Sequence, residues 1–170
     1  MKVGVNIGST RFIDDEPFSK HLQQIYAGIA HQFRDELDLY YIPFCSHVSA
    51  HNQNDLAKAD LLFSTSNGLI QYADFANIDA LMEFCTQCDF FIGERFHMHI
   101  MANAMKIPFV PFIHNEQTKY RALAREYGDV PTYYESSQAF IMESLTRRIE
   151  NLIRMAYEPV IEQGAPGGTS

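Results

Sequence analysis

Short β-rich apolar runs alternate along this chain with stretches whose apolar residues recur every three or four positions, and this alternation restricts the fold more than any other feature. The strand-like runs are Val3 to Gly8, Leu37 to Phe44, Leu69 to Tyr72, Phe90 to Ile92 and Phe109 to Ile113. Helical spacing fills the intervals: Phe18 to Phe33, Asn54 to Leu62, Asn77 to Phe84, Met98 to Met105 and Glu116 to Tyr127, with a last helix reaching about Tyr157. Strands separated by helices pair in parallel through crossovers rather than as hairpins. The expectation is an α/β fold: one Rossmann-like domain with a parallel sheet of about five strands and helices on both faces.

Local signals sharpen the boundaries. In the first long helix Phe18, Leu22, Ile25, Tyr26, Ile29 and Phe33 form one face, after a polar loop from Ser9 to Pro17. Asn52 or Asn54 and Asn77 suit N-caps, Ser64 to Gly68 suits a turn, Gly128 suits a left-handed helix end, and Ser136 or Ser137 suits the cap of the last helix. That helix should bury Phe140, Ile141, Leu145, Ile149, Leu152, Ile153 and Ala156. Lys106-Ile107-Pro108 ends one helix and opens the next strand, because proline cannot continue the helix.

With 170 residues and 46% of them hydrophobic, the chain can bury one real core. Residues 1–158 are expected to form the domain and 159–170, rich in Gly and Pro, a flexible tail. A net charge of -8 without a basic run argues against nucleic acid as a partner. No apolar run approaches the roughly 18 to 20 residues that cross a bilayer, and Met1-Lys2 is too short and polar a start for a signal peptide, so a cytoplasmic location is expected. Three cysteines, an odd number, suit a reducing compartment. Cys85 and Cys88 have C-x-x-C spacing, but no second pair completes a zinc site and the motif closes a helix instead of opening one. They read as two ordinary, partly buried thiols.

Chemistry concentrates at Arg95-Phe96-His97, where the fourth strand turns into a helix. In open parallel sheets ligands bind beyond the carboxyl ends of strands, where helix N-termini favour anions. Four such segments are expected to converge: Ser9 to Arg11, Cys45 to Asp55, Gly93 to His97 and His114 to Lys119. Arg95 can hold a carboxylate or phosphate, Arg11 or Lys119 can add positive charge, and His97 can exchange a proton near neutral pH. Each has a plainer reading as well. Arg95 suits an ion pair with Glu94, His97 and His99 suit interior histidines of which at most one belongs to a site, and Lys119 suits a solvated surface lysine. His47 and His51 lack a clear third metal ligand, and Met98, Met101 and Met105 suit core filler. The first loop lacks G-x-G-x-x-G, which argues against a dinucleotide fingerprint.

From Gly93-Glu94-Arg95-Phe96-His97 through Ile107-Pro108-Phe109-Val110 to Lys119 the sequence resembles the polysaccharide pyruvyl transferase family, whose pattern carries Arg-x-His before a helix, Ile-Pro before a strand and a later Lys. Phe96 stands where that family usually has Leu, and Met98 where it has Ala. More weakly, the likeness extends over residues 1–158, including an Ile-Pro-Phe strand end at Ile42 to Phe44 and Asp55 after it. The resemblance implies the C-terminal, donor-binding half of a GT-B-like architecture. It implies phosphoenolpyruvate as donor substrate, with no further cofactor and no metal, and transfer of its enolpyruvyl group to a pair of sugar hydroxyls as a ketal in cell-envelope or exopolysaccharide assembly. Arg11, Arg95, Phe96, His97 and Lys119 would bind substrate, with Arg95 and His97 as the catalytic pair. An acceptor-binding N-terminal domain, or a partner subunit in its place, is expected beside this chain, and an exposed apolar face would favour homo-oligomers. A nucleotide-sugar glycosyltransferase domain and a non-catalytic partner-binding module remain the alternatives.

Overall fold

The structure, a computed structural model, describes residues 1–8, 11–44, 54–72, 75–112, 125–126 and 138–158. The strands β1 (Lys2–Asn6), β2 (Asp38–Tyr41), β3 (Ile70–Tyr72), β4 (Phe90–Gly93) and β5 (Phe109–Pro111) form one sheet in the order β3-β2-β1-β4-β5. Every neighbouring pair is parallel. The helices are α1 (Arg11–Asp14), α2 (Glu16–Gln32), α3 (Asp55–Thr65), α4 (Ile78–Thr86), α5 (Phe96–Met105) and α6 (Gln138–Tyr157). The expected α/β, Rossmann-like class with a five-stranded parallel sheet is the fold observed.

The period-two pattern of the strands divides the core between the faces of the sheet. Val3, Val5, Leu39, Tyr41, Phe90, Ile92 and Val110 lie in one cluster with Leu22, Ile25 and Ile29 of α2, Leu62 of α3, and Ile141, Leu145 and Ile149 of α6. Ile42, Phe91 and Phe109 point the other way and pack with Leu81 and Cys85 of α4 and with Met98, Met101 and Ala102 of α5. Helices therefore cover both faces, and two of the three methionines of the α5 strip are core residues, with Met105 packed at its edge.

The caps follow from short polar side chains at helix starts. Asp15 Oδ1 accepts from Phe18 N–H at 3.2 Å, Asn54 Oδ1 from Leu56 N–H at 3.0 Å and Asn77 Oδ1 from Ala80 N–H at 2.9 Å. At the far end of α5, Lys106 takes a left-handed conformation with φ 57°, which lets the chain drop through Pro108 into β5.

Three expectations need correction. The polar loop from Ser9 to Pro17 contains α1 and the start of α2, whose cap Asp15 sits just before Pro17 in the first turn, a place where proline costs no hydrogen bond. The turn at Ser64 begins later, since α3 runs to Thr65 and the reversal falls on Asn67 and Gly68, both with positive φ. Phe140 and Ala156 are exposed. Phe140 lies one residue, a rotation of about 100°, off the line of Ile141, Leu145 and Ile149. Ala156 lies on the last turn, where a 20-residue helix has outrun strands of three to five residues. The expected caps Ser136 and Ser137, most of the helix from Glu116 and its end at Gly128 lie outside the described residues.

Candidate active site at the sheet switch point

The strand order reverses direction between β1 and β4. From β1 the chain moves outward to β2 and β3, then returns through α4 to place β4 on the other side of β1. Asn6 and Gly93, the last residues of the two strands, are register partners. This is the crevice that open α/β sheets use for ligands. Gly93 makes the close pairing feasible, because a Cβ there would stand 2.6 Å from the Asn6 carbonyl oxygen. Gly8 likewise lies against Arg95, with a built Cβ only 3.3 Å from the Arg95 Cα.

As β1 leaves the sheet its carbonyl groups turn to side chains. Asn6 O accepts from Tyr26 Oη at 3.3 Å, and Ile7 O accepts from Tyr41 Oη at 3.4 Å and from Lys58 Nζ at 3.1 Å. Burial pushes both tyrosine hydroxyls well above their ordinary pKa, and for Tyr41 the charge of Asp55 adds to the effect. They are hydrogen-bond donors to the backbone at any physiological pH.

Arg95 ends the β4 connection as the N-cap residue of α5, and its side chain makes no capping hydrogen bond there. Its ion-pair partner is Asp55, 40 residues away, and not the adjacent, fully buried Glu94. Nη2 donates to Asp55 Oδ1 at 2.9 Å, and Nε donates to Asn6 Oδ1 at 3.3 Å. Asp55 is fully buried and also receives Lys58 Nζ on Oδ1 at 3.1 Å, the Phe44 N–H on Oδ2 at 2.8 Å and Asn6 Nδ2 on Oδ2 at 3.4 Å. Lys58 is itself fully buried, whereas the Arg95 side chain keeps 18% of its surface open. These donors offset the cost of taking the carboxylate out of water.

His97 is exposed in the first turn of α5. Two residues on, His99 is buried between the rings of Phe96 and Phe109, with Nε2 3.2 Å from Glu126 Oε2. The two histidines therefore have different surroundings, one exposed and one part of the packing. Phe96 is half-buried against the α4 and α5 cluster. The backbone of Arg11 opens α1, directly after the β1 loop. Lys119, His114, His47, His51 and Cys45 lie outside the described residues.

The sequence reading singled out Arg95 and His97 but missed Asn6 and Lys58 as members of this cluster. Lys58 at three residues from Asp55 on one helix face was the available signal. Cys85 and Cys88 are buried free thiols, pushed up by burial to pKa values of about 12 and about 11. Among the described residues no three His, Cys, Asp or Glu side chains gather into a group that could hold a metal ion. Among them, too, no helix is long and apolar enough to cross a membrane.

At this strand end the Arg95 guanidinium, held by Asp55 and Asn6, stands at the start of α5, and His97 is exposed in the first turn of the same helix. A family model described as polysaccharide pyruvyl transferase matches residues 7–116, about two thirds of the chain, and the match contains every described residue of this site except Asn6. No curated protein and no solved structure matches the chain.

Proposed function

The chain belongs to the polysaccharide pyruvyl transferase family, and from that premise we propose that it binds phosphoenolpyruvate at the β1/β4 crevice and transfers the enolpyruvyl group to two hydroxyls of a saccharide. The observation that carries this reading is Arg95, oriented by Asp55 and Asn6 at the start of α5 and partly open to solvent. A guanidinium and a helix N-terminus together suit the donor's phosphate or carboxylate. Arg11 and Lys119 add further cationic contacts, and Phe96 borders the donor.

In this reading His97 gives its proton to the methylene carbon of the donor, which becomes a methyl group. The positive charge that develops at the neighbouring carbon is met by the first sugar hydroxyl, which forms a C–O bond and returns a proton to His97. The second hydroxyl then forms its own C–O bond as the bond to phosphate breaks. Phosphate leaves with the electron pair and takes up the remaining proton. Arg95 contributes by holding negative charge on the departing group. The saccharide side of the cleft comes from an N-terminal domain or a partner subunit, as in a GT-B-like arrangement, and the product belongs to cell-envelope or exopolysaccharide assembly.

Calorimetric titration with phosphoenolpyruvate, UDP and inorganic phosphate tests the reading on wild type and Arg95→Ala. Saturable phosphoenolpyruvate binding that the substitution abolishes is the expected result. Preferential binding of UDP would replace it with a nucleotide-sugar reading.

A further inference from the structure

We infer that Asp55, backed by Lys58 and Asn6, is a positioning group that decides which edge of the Arg95 guanidinium meets the donor. The inference rests on the proposed donor site and concerns how the anion is held there. A guanidinium can grip an anion side-on, through Nε and one terminal nitrogen, or end-on, through its two terminal nitrogens. In this protein Nε and Nη2 already donate to Asn6 Oδ1 and Asp55 Oδ1. The side-on edge belongs to the protein, and the end-on edge remains for the ligand.

The acceptors of that edge are themselves fixed. Asn6 Nδ2 donates to the Ile42 carbonyl at 2.7 Å, which turns its Oδ1 towards Arg95. Asp55 is held through both oxygens, by Lys58 and Arg95 on one and by Phe44 N–H and Asn6 on the other. Lys58 is fully buried and Arg95 is not, so of the two cations on this carboxylate the arginine is the one open to solvent. The network spans the ends of β1, β2 and β4 and the first turn of α3, so the Arg95 guanidinium is positioned from regular elements of the fold.

The test is nuclear magnetic resonance of the chain with 15N-labelled arginine, titrated with phosphoenolpyruvate, with the Arg95 Hε signal identified by its loss in Arg95→Lys. In wild type the Hε proton should exchange slowly and stay in place during the titration, while the Nη signals move. The double variant Asp55→Asn/Lys58→Met removes one charge of each sign and spares the fold an unmatched buried ion. It should speed Hε exchange and weaken phosphoenolpyruvate at least tenfold. An Hε signal that moves with the ligand would mean side-on binding and overturn the inference, as would a double variant that keeps both protection and affinity. The wild-type measurement decides the first point even if the variant is unstable. A protected Hε with no response to phosphoenolpyruvate would overturn the donor reading and leave the clamp standing; an unprotected Hε with intact binding would do the reverse.

Discussion

Taking a carboxylate out of water as completely as Asp55 is taken out costs several kcal/mol, and only charged or well-aligned donors offset it. Removing Arg95 leaves Asp55 with Lys58, Phe44 N–H and Asn6, so Arg95→Ala should not unfold the protein but should cost about 1–3 kcal/mol of stability. Urea unfolding checks this, and Arg95→Lys should lose less, since a lysine restores charge without the fork. The two thiols make an opposite kind of prediction. Their folded pKa values of about 12 and about 11 lie above the ordinary 9, so the folded state holds protons that the unfolded state releases. Their contribution to stability is complete below pH 9 and is lost as pH rises through 11 to 12. At pH 8, alkylation followed by peptide mapping should find Cys85 and Cys88 unmodified in native protein and labelled in urea. The placement of Arg95 and His97 where β4 passes into α5 was legible in the sequence, because a short apolar run ends there and helical spacing begins. Lys58 was not, because lysine is among the least buried residue types. Its place in the core depends on the Ile7 carbonyl, 51 residues away.

The element that matters most to the site is α3, which presents Asp55 and Lys58 from its first turn. Its cap is Asn54, and Asn54→Ala should cost about 1 kcal/mol, with the extra consequence that amides near Asp55 exchange faster than those at the cap of α4. Hydrogen exchange on the variant reads both. Gly93→Ala should be the harsher change, because the new Cβ meets backbone and not a movable side chain. A loss of about 2–4 kcal/mol is expected from parting the β1 and β4 ends, measurable by chemical denaturation. Elements were legible where one physical signal dominated. The six apolar residues expected on the face of α2 are all buried, and Asn54 and Asn77 cap the helices assigned to them. The short α1 was missed because four residues are too few to show a period of 3.6. The exposure of Ala156 was missed because the spacing of apolar residues cannot tell where a helix runs past its sheet.

On the scale of the whole molecule, the strand order places the reversal of direction at β1, and with it the two strand ends that carry Asn6 and Arg95. The parallel order was legible from alternation, but which strands neighbour β1 was not, since sequence spacing says nothing about whether the return through α4 goes to an edge or to the centre. The return to the centre is what makes a crevice of the site. A ligand seated there contacts both halves of the sheet, so its binding energy should appear as stability of the entire domain. At a hundred times its Kd, phosphoenolpyruvate should add about 2.7 kcal/mol. For a domain of this size that corresponds to a rise in Tm of roughly 5–10 °C. The rise should shrink with added salt, because the partly open Arg95 charge is screened. It should be lost in Arg95→Ala and exceed any shift from UDP at equal concentration. A thermal melt that responds to UDP and not to phosphoenolpyruvate would assign the crevice to a nucleotide-sugar donor, and a melt indifferent to both would remove the donor role from this sheet edge.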